Sequence, residues 1–148
     1  MSTYTQIIYQ IVFSTKNRKM TLTASKRDEL YKYISGIFQN KKCHLYRIGG
    51  VEDHIHILFH LHPTIALSEL VKDIKMASSD FIKRNQVFIG FNGWQEGYGA
   101  FTYSIKEKDI LIEYIKNQEE HHRKNGFKEE YLKLLNQNEI NYDEKYVF

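Results

Sequence analysis

The sequence has little cysteine and lacks any long apolar run. With one cysteine, Cys43, the chain cannot form an intramolecular disulfide or a multi-cysteine zinc cluster, so a reducing cytoplasm is the expected compartment. No basic stretch followed by an apolar run opens the chain, and no segment approaches the roughly 18 apolar residues of a membrane span. These absences exclude a disulfide-stabilised scaffold and predict an intracellular protein without membrane contact.

What is present is the composition of a globular protein. The 148 residues are 42% hydrophobic and 14% aromatic, which is enough for a real core and predicts a single domain spanning 1–148. The formal net charge of +3 permits a nucleic-acid partner without demanding one. Any argument for such a partner therefore depends on local clusters of charge.

The most informative stretch is 51–61. Its odd positions are apolar except for Asp53, and three of its even positions are histidines, a period of two that predicts a strand with one buried face. Side chains two residues apart lie roughly 6–7 Å apart on one face, so His54 and His56 can bind one cation. The alternative is a pair of solvated histidines on the open face of a sheet. His60 and His62 continue this face, so spacing alone does not choose the pair.

The rest of the chain predicts alternating strands and helices. Strands are expected at 4–15, 43–48 and 100–105, with Gly49-Gly50 as the turn into the histidine strand. Helices are expected at 25–39, at 68–84 with Ser68 as its cap, and at 108–124. This order predicts an α+β, ferredoxin-like sandwich: an antiparallel sheet with helices on one face, the other face free, and further helices at the C-terminus.

A polar side chain interrupts the apolar stripe of the helix predicted at 108–124. Gln118 lies one turn after Tyr114, within that stripe. One interpretation is a half-buried glutamine that hydrogen-bonds a neighbour, beside an ordinary packing tyrosine. The other is that its carbonyl oxygen binds the same cation as His54 and His56, which brings Tyr114 alongside the metal. His121 and His122, in the last turn, are explained by the helix dipole alone.

Basic side chains cluster near three predicted elements: the turn after the first strand, the second strand and the second helix. Such charges are most often solvated, but they are also suited to contact phosphates. They are Lys16, Arg18, Lys19, Lys42, Arg47, Lys72, Lys75, Lys83 and Arg84.

Four segments together carry a family resemblance: 51–58 (VEDHIHIL), 67–75 (LSELVKDIK), 94–101 (WQEGYGAF) and 114–122 (YIKNQEEHH). In this order, over nearly the whole chain, the sequence resembles the one-tyrosine HUH transposases of small bacterial insertion sequences that transpose as single-stranded DNA, the IS200-like transposase family. The resemblance implies that His54, His56 and Gln118 bind a divalent metal, Mg²⁺ or Mn²⁺, and that Tyr114 is the catalytic nucleophile. His60 and His62 match no family motif position.

The resemblance further implies a DNA transposase that cleaves and rejoins single-stranded DNA, in the form of a hairpin, through a covalent 5′-phosphotyrosine. It also implies a homodimer whose sites combine histidines from one subunit with the tyrosine and glutamine of the other. The apolar first strand, expected to leave an unsatisfied edge in a monomer, supports pairing of two chains. Two alternatives stay open: a domesticated hairpin-DNA or RNA-binding protein without strand transfer, and a metal-dependent phosphodiesterase in which water attacks.

Overall fold

Four strands form one antiparallel sheet in the structure, a computed structural model that describes all 148 residues. The strands β1 (Ile8–Ser14), β2 (His44–Gly50), β3 (His54–His60) and β4 (Gly99–Tyr103) lie in the order β2-β3-β1-β4. The helices are α1 (Ala24–Asn40), α2 (Leu67–Asn85), α3 (Lys108–Lys116), α4 (Gln118–Lys124), α5 (Phe127–Gln137) and α6 (Glu144–Val147). This order of strands and helices confirms the predicted ferredoxin-like α+β sandwich.

The main core fills the space between one face of the sheet and helices α1 and α2. Because side chains alternate along a strand, β3 sends Ile55, Ile57 and Phe59 to this face, and all three are fully buried. Leu30 and Ile34 of α1 are among the helical side chains packed in the same cluster. This is the face that the periodicity of the strands and of the first two helices predicts.

The other face of the sheet is covered, so the prediction that it is free is wrong. Ile115 of α3 packs there against Ile8 and Leu58 of the sheet. Farther along the same face, α5 packs Phe127 and two leucines against β1 and β4. Strand β3 is therefore buried on both sides, which no alternation of apolar and polar residues predicts.

Two glycines let the C-terminal helices approach the sheet. A Cβ on Gly49 of β2 would collide with the backbone oxygen of Ile115 in α3, and a Cβ on Gly99 of β4 would lie 2.7 Å from the ring of Tyr131 in α5. Gly49 and its neighbour Gly50 belong to β2, so the turn into β3 is formed by 51–53 and not by the glycines as predicted. The small size of Gly49 and Gly99 allows α3 and α5 to pack closely on the sheet.

Several predicted boundaries are also wrong. The first strand was expected to begin at Tyr4, but β1 begins at Ile8. It pairs with β3 on one side and with β4 on the other. It is an interior strand with no unsatisfied edge, so the edge argument for dimerisation fails. The helix expected at 108–124 is broken at Asn117 into α3 and α4. Ser68 was expected to cap α2, but no side chain caps that helix.

The glycine-rich loop before β4 is ordered by its tryptophan, as expected of 90–99. The indole of Trp94 donates a hydrogen bond to Ser78 Oγ at 2.9 Å and packs edge-on against Phe13. Lys75 adds hydrogen bonds to the carbonyls of Gln95 and Gly97. None of the helices is both long enough and apolar enough to cross a membrane.

Candidate active site

Strand β3 places His54 and His56 side by side beneath the C-terminal helices. Both side chains are fully buried, and their ring centroids are 5.1 Å apart. The interpretation of these residues as solvated histidines on an open sheet face is therefore wrong. Buried polar side chains need partners, and each imidazole has one at its Nδ1 atom.

One nitrogen of each imidazole is held by an oxygen acceptor. His54 Nδ1 lies 2.7 Å from Asp53 Oδ1, and His56 Nδ1 lies 2.8 Å from Gln10 Oε1. The amide of Gln10 is itself oriented, because its Nε2 donates to the hydroxyl of Tyr103 at 3.0 Å. An acceptor at Nδ1 favours the tautomer with a proton there, which leaves the lone pair of each Nε2 facing the C-terminal helices.

Helices α3 and α4 bring Tyr114 and Gln118 to the same place. The break at Asn117 starts a new helix at Gln118, which is 1% exposed although it is polar. The ring of Tyr114 lies 5.9 Å from the ring of His56, nearly perpendicular to it. Arg27 of α1 fixes the start of α4 through a 2.6 Å ion pair with Glu119.

The centre of the cluster is a carboxylate from α5, Glu130. Its Oε1 lies 3.2 Å from His54 Nε2, 3.0 Å from His56 Nε2 and 3.3 Å from His122 Nε2. Its Oε2 accepts hydrogen bonds from the Tyr114 hydroxyl and, at 3.2 Å, from Gln118 Nε2.

These contacts shift the acidities of the two oxygen groups in opposite directions. Burial, reinforced by the Glu130 carboxylate, raises the pKa of the Tyr114 hydroxyl far above its ordinary value. Burial alone would raise the pKa of the Glu130 carboxyl, but its contacts with His122, His54 and His56 hold that pKa well below its usual range. In this arrangement Glu130 is an anion and Tyr114 is a neutral hydrogen-bond donor.

The donor set fits a divalent cation. His54 Nε2 and Gln118 Oε1 are buried and have no hydrogen-bond partner. An unsatisfied buried acceptor costs about 1–3 kcal/mol, and both atoms are of the type that binds divalent metals. His54, His122 and Glu130 alone bring three ligand atoms within 4.8 Å of one another. The residues present therefore suit a metal ion at this point.

The structure brings together the four residues predicted from the sequence and separates the two that were set aside. His54, His56, Tyr114 and Gln118 all contact Glu130, whereas His60 lies at the far end of β3 beside the backbone of Ile7. His62 hydrogen-bonds Thr64, also outside the cluster.

Sequence reasoning missed two members of the cluster. His122 was assigned only to the helix dipole, yet its imidazole contacts Glu130 and lies 4.5 Å, centroid to centroid, from that of His54. Glu130 was not considered, although it carries the signal that singled out Gln118: it is a polar residue in the apolar stripe formed by Phe127 and Leu134.

Most of the basic side chains named above are exposed, including those of the turn after β1 and of β2. Lys75 differs, because it is half-buried and its ammonium group is engaged by the carbonyls of the glycine-rich loop. Burial lowers the pKa of Lys75. Lys75 holds that loop, so its ammonium group is not available to contact a phosphate as expected.

Known proteins of one family match most of the chain. The sequence profile of the family described as "Transposase IS200 like" matches residues 3–118, which include His54, His56, Tyr114 and Gln118. The chain belongs to the IS200-like transposase family. The ISDra2 transposase TnpA of Deinococcus radiodurans is 25% identical over 118 residues, which are 76% of this chain and 84% of that protein.

Two solved structures share the fold. A crystal structure described as that of a transposase from Deinococcus radiodurans superposes with a TM-score of 0.59 at 24% identity, covering 80% of this chain and 95% of the other. A REP-associated tyrosine transposase bound to a REP hairpin superposes with a TM-score of 0.61 at 16% identity, covering 82% and 74%. The IS200-like chain shares its fold with both.

Proposed function

We propose that this IS200-like transposase cleaves and rejoins single-stranded DNA at insertion-sequence ends through a covalent 5′-phosphotyrosine on Tyr114. The observation that carries the proposal is the position of the Tyr114 hydroxyl. It points into the buried cluster that also contains His54, His56 and Gln118. A tyrosine that only packs has no reason to direct its hydroxyl at such a set of metal-binding groups.

The proposed reaction is a phosphoryl transfer to the tyrosine. The Tyr114 oxygen attacks the scissile phosphorus, a new P–O bond to tyrosine forms, and the P–O bond to the 3′ oxygen breaks. The tyrosine loses its proton and the leaving oxygen gains one, so the products are a 5′-phosphotyrosine and a free 3′-OH. Because the covalent bond retains the phosphodiester energy, attack by a second 3′-OH rejoins DNA without a nucleotide cofactor.

We infer that His54, His56 and Gln118 hold Mg²⁺ or Mn²⁺. A divalent cation held by these residues would offset the charge of the phosphate and stabilise the leaving oxygen. The chain supplies the rest. Asp53 and Gln10 orient the imidazoles through their Nδ1 atoms.

A single-stranded hairpin is the proposed substrate. The exposed basic side chains beside β1 and β2 suit phosphate contacts, and a cleft of about 540 Å³ lies beside the cluster. Phe127 stacks on His54 and also lines this cleft. Aromatic side chains in a cleft suit the stacking of unpaired bases. The aromatic residues that line it are Phe13, Tyr98, Phe127, Tyr131, Tyr142, Tyr146 and Phe148.

The assembly expected from the family resemblance, a homodimer with shared sites, stays a prediction. Within one chain, Ile115 packs α3 onto the sheet and the Tyr114 hydroxyl bonds to Glu130, so Tyr114 is held near the histidines of its own chain. The geometry of the chain supports a site completed within one subunit. The subunit-mixing experiment described in the Discussion separates the two arrangements.

The experiment incubates the protein with labelled hairpin DNA from its own flanking genomic sequence, with Mn²⁺ or with EDTA. A nick and a covalent protein–DNA band are expected only with Mn²⁺. Both should vanish in Tyr114→Phe and persist in Tyr9→Phe, a matched control on the opposite face of the sheet. Binding without any nick would indicate a hairpin-binding protein, and cleavage without an adduct would indicate attack by water. Tighter binding to fully duplex DNA than to the hairpin would contradict the proposed hairpin substrate.

A further inference from the structure

Glu130 lies outside the segment shared with the family yet occupies the centre of the candidate site. The family match ends at residue 118, and Glu130 follows on α5. Its side chain is 8% exposed, although a carboxylate is rarely buried without a partner of opposite charge. The position of Glu130 therefore needs an explanation that the family resemblance does not supply.

The two oxygens of Glu130 differ in their partners: Oε2 accepts from Tyr114 and Gln118, whereas Oε1 faces imidazole nitrogens alone. His54 and His56 both have Nδ1 engaged by oxygen acceptors, so their Nε2 lone pairs face the carboxylate oxygen at 3.2 and 3.0 Å. While both imidazoles are neutral with the proton on Nδ1, these lone pairs repel the anion, and the repulsion is relieved only by a cation between them or by a proton on Nε2. A divalent cation among these three atoms would turn the repulsion into three coordinate bonds.

The chemistry of the donor set points the same way. Mg²⁺ and Mn²⁺ prefer oxygen ligands, and a carboxylate above all. Without Glu130, the proposed site would offer two imidazole nitrogens and one neutral amide oxygen, and no anionic ligand. Glu130 supplies the missing carboxylate, and both imidazoles direct their Nε2 atoms at its Oε1.

We propose that Glu130 is a fourth metal ligand, and that the metal thereby ties α5 to the sheet. The inference rests on the metal site of the proposed function, to which it adds a ligand from a different helix. α5 is otherwise held by apolar contacts of Phe127, Leu134 and Leu135 with β1 and β4. Metal binding and the docking of α5 are then linked, so that each strengthens the other.

The test is a calorimetric titration of the full chain with Mn²⁺ alone, without DNA. Glu130→Gln keeps the shape of the side chain and removes its charge, and it should weaken Mn²⁺ binding at least about tenfold, the lower end of what even outer partners of metal sites cost. Glu129→Gln removes the same charge from an exposed position on α5 and should bind as the wild type does. His54→Ala should also lose affinity.

Hydrogen exchange measures the link to α5. Mn²⁺ should increase the protection of amides in 127–137 in the wild type and in Glu129→Gln, and leave it unchanged in Glu130→Gln. A purely structural role for Glu130 would alter protection in the absence of metal and would leave no difference in the response to Mn²⁺. If Glu130→Gln does not fold, the pair Glu130→Asp and Glu130→Asn takes its place, with tighter Mn²⁺ binding expected for the aspartate.

The outcomes separate this proposal from the proposed function. Wild-type affinity in Glu130→Gln, together with lost affinity in His54→Ala, would overturn the role of Glu130 and leave the histidine site intact. The absence of Mn²⁺ binding by the wild type would overturn both. Equal losses in Glu130→Gln and Glu129→Gln would show an effect of net charge only, and would also overturn the assignment of Glu130 as a ligand.

Discussion

Replacing Gly49 by alanine should move α3, and with it Tyr114, away from the sheet. The added Cβ would lie 2.7 Å from Ile115 Cγ2 and closer still to the backbone oxygen of Ile115, whereas ordinary contact begins near 3.4 Å. The helix must therefore retreat by about 0.7 Å or more. Because the obstruction is backbone, no side-chain rotation relieves it.

The expected cost follows from this displacement. Overpacking of a core typically costs about 1–3 kcal/mol. For a chain of 148 residues, this lowers the melting temperature by about 2–12 °C, at about 2–4 °C per kcal/mol. A nucleophile misplaced by about 1 Å loses on the order of 100-fold in rate, so nicking should fall more steeply than stability.

Gly36→Ala provides a matched control. Gly36 lies inside α1, and a Cβ added there would have nothing within 4 Å, so the same substitution should stabilise the helix by about 0.5–1 kcal/mol and leave nicking unchanged. Thermal unfolding and the rate of hairpin cleavage are measured on both variants. Wild-type stability and cleavage in Gly49→Ala would refute the close approach of α3 to β2.

Three further predictions concern the metal, the DNA and the assembly. His56→Ala should abolish cleavage at millimolar Mn²⁺ while His60→Ala retains it, and equal losses would mean that the wrong pair was chosen on β3. Hairpin affinity, measured by fluorescence anisotropy, should fall about 20- to 40-fold between 50 and 200 mM salt if three phosphates are contacted, the larger fall applying to duplex phosphates, and a flat response would exclude those contacts. Mixing His54→Ala with Tyr114→Phe under subunit exchange should restore about a quarter of wild-type activity if dimers share sites, and none if each chain completes its own.

The period-two pattern of β3 and the polar residue in the apolar stripe of α3 and α4 singled out candidate residues, and the family resemblance chose four of them as members of the site. Both signals are local, because a strand or a helix fixes which side chains share a face. His54, His56, Tyr114 and Gln118 were predicted on these grounds and on the family resemblance. The ferredoxin-like fold class followed from the order of strands and helices along the chain.

What could not be predicted depends on contacts between distant parts of the chain. Gly49 looks like a turn residue until Ile115 is known to pack on it, and β1 looks like an edge until β4 is placed beside it. Glu130 shows the same limit. Its place in an apolar stripe signals burial, but nothing local to α5 reveals that its partners are the imidazoles of β3.

The central claim is that Tyr114 forms the covalent bond to DNA, and mass spectrometry of the adduct tests it most directly. After cleavage of the hairpin, nuclease and trypsin digestion should leave the nucleotide on the peptide 109–116, in which Tyr114 is the single tyrosine. That mass shift, with fragmentation that places it on Tyr114, is the result expected. A nucleotide on any peptide that lacks Tyr114, or cleavage without a modified peptide, would contradict the account.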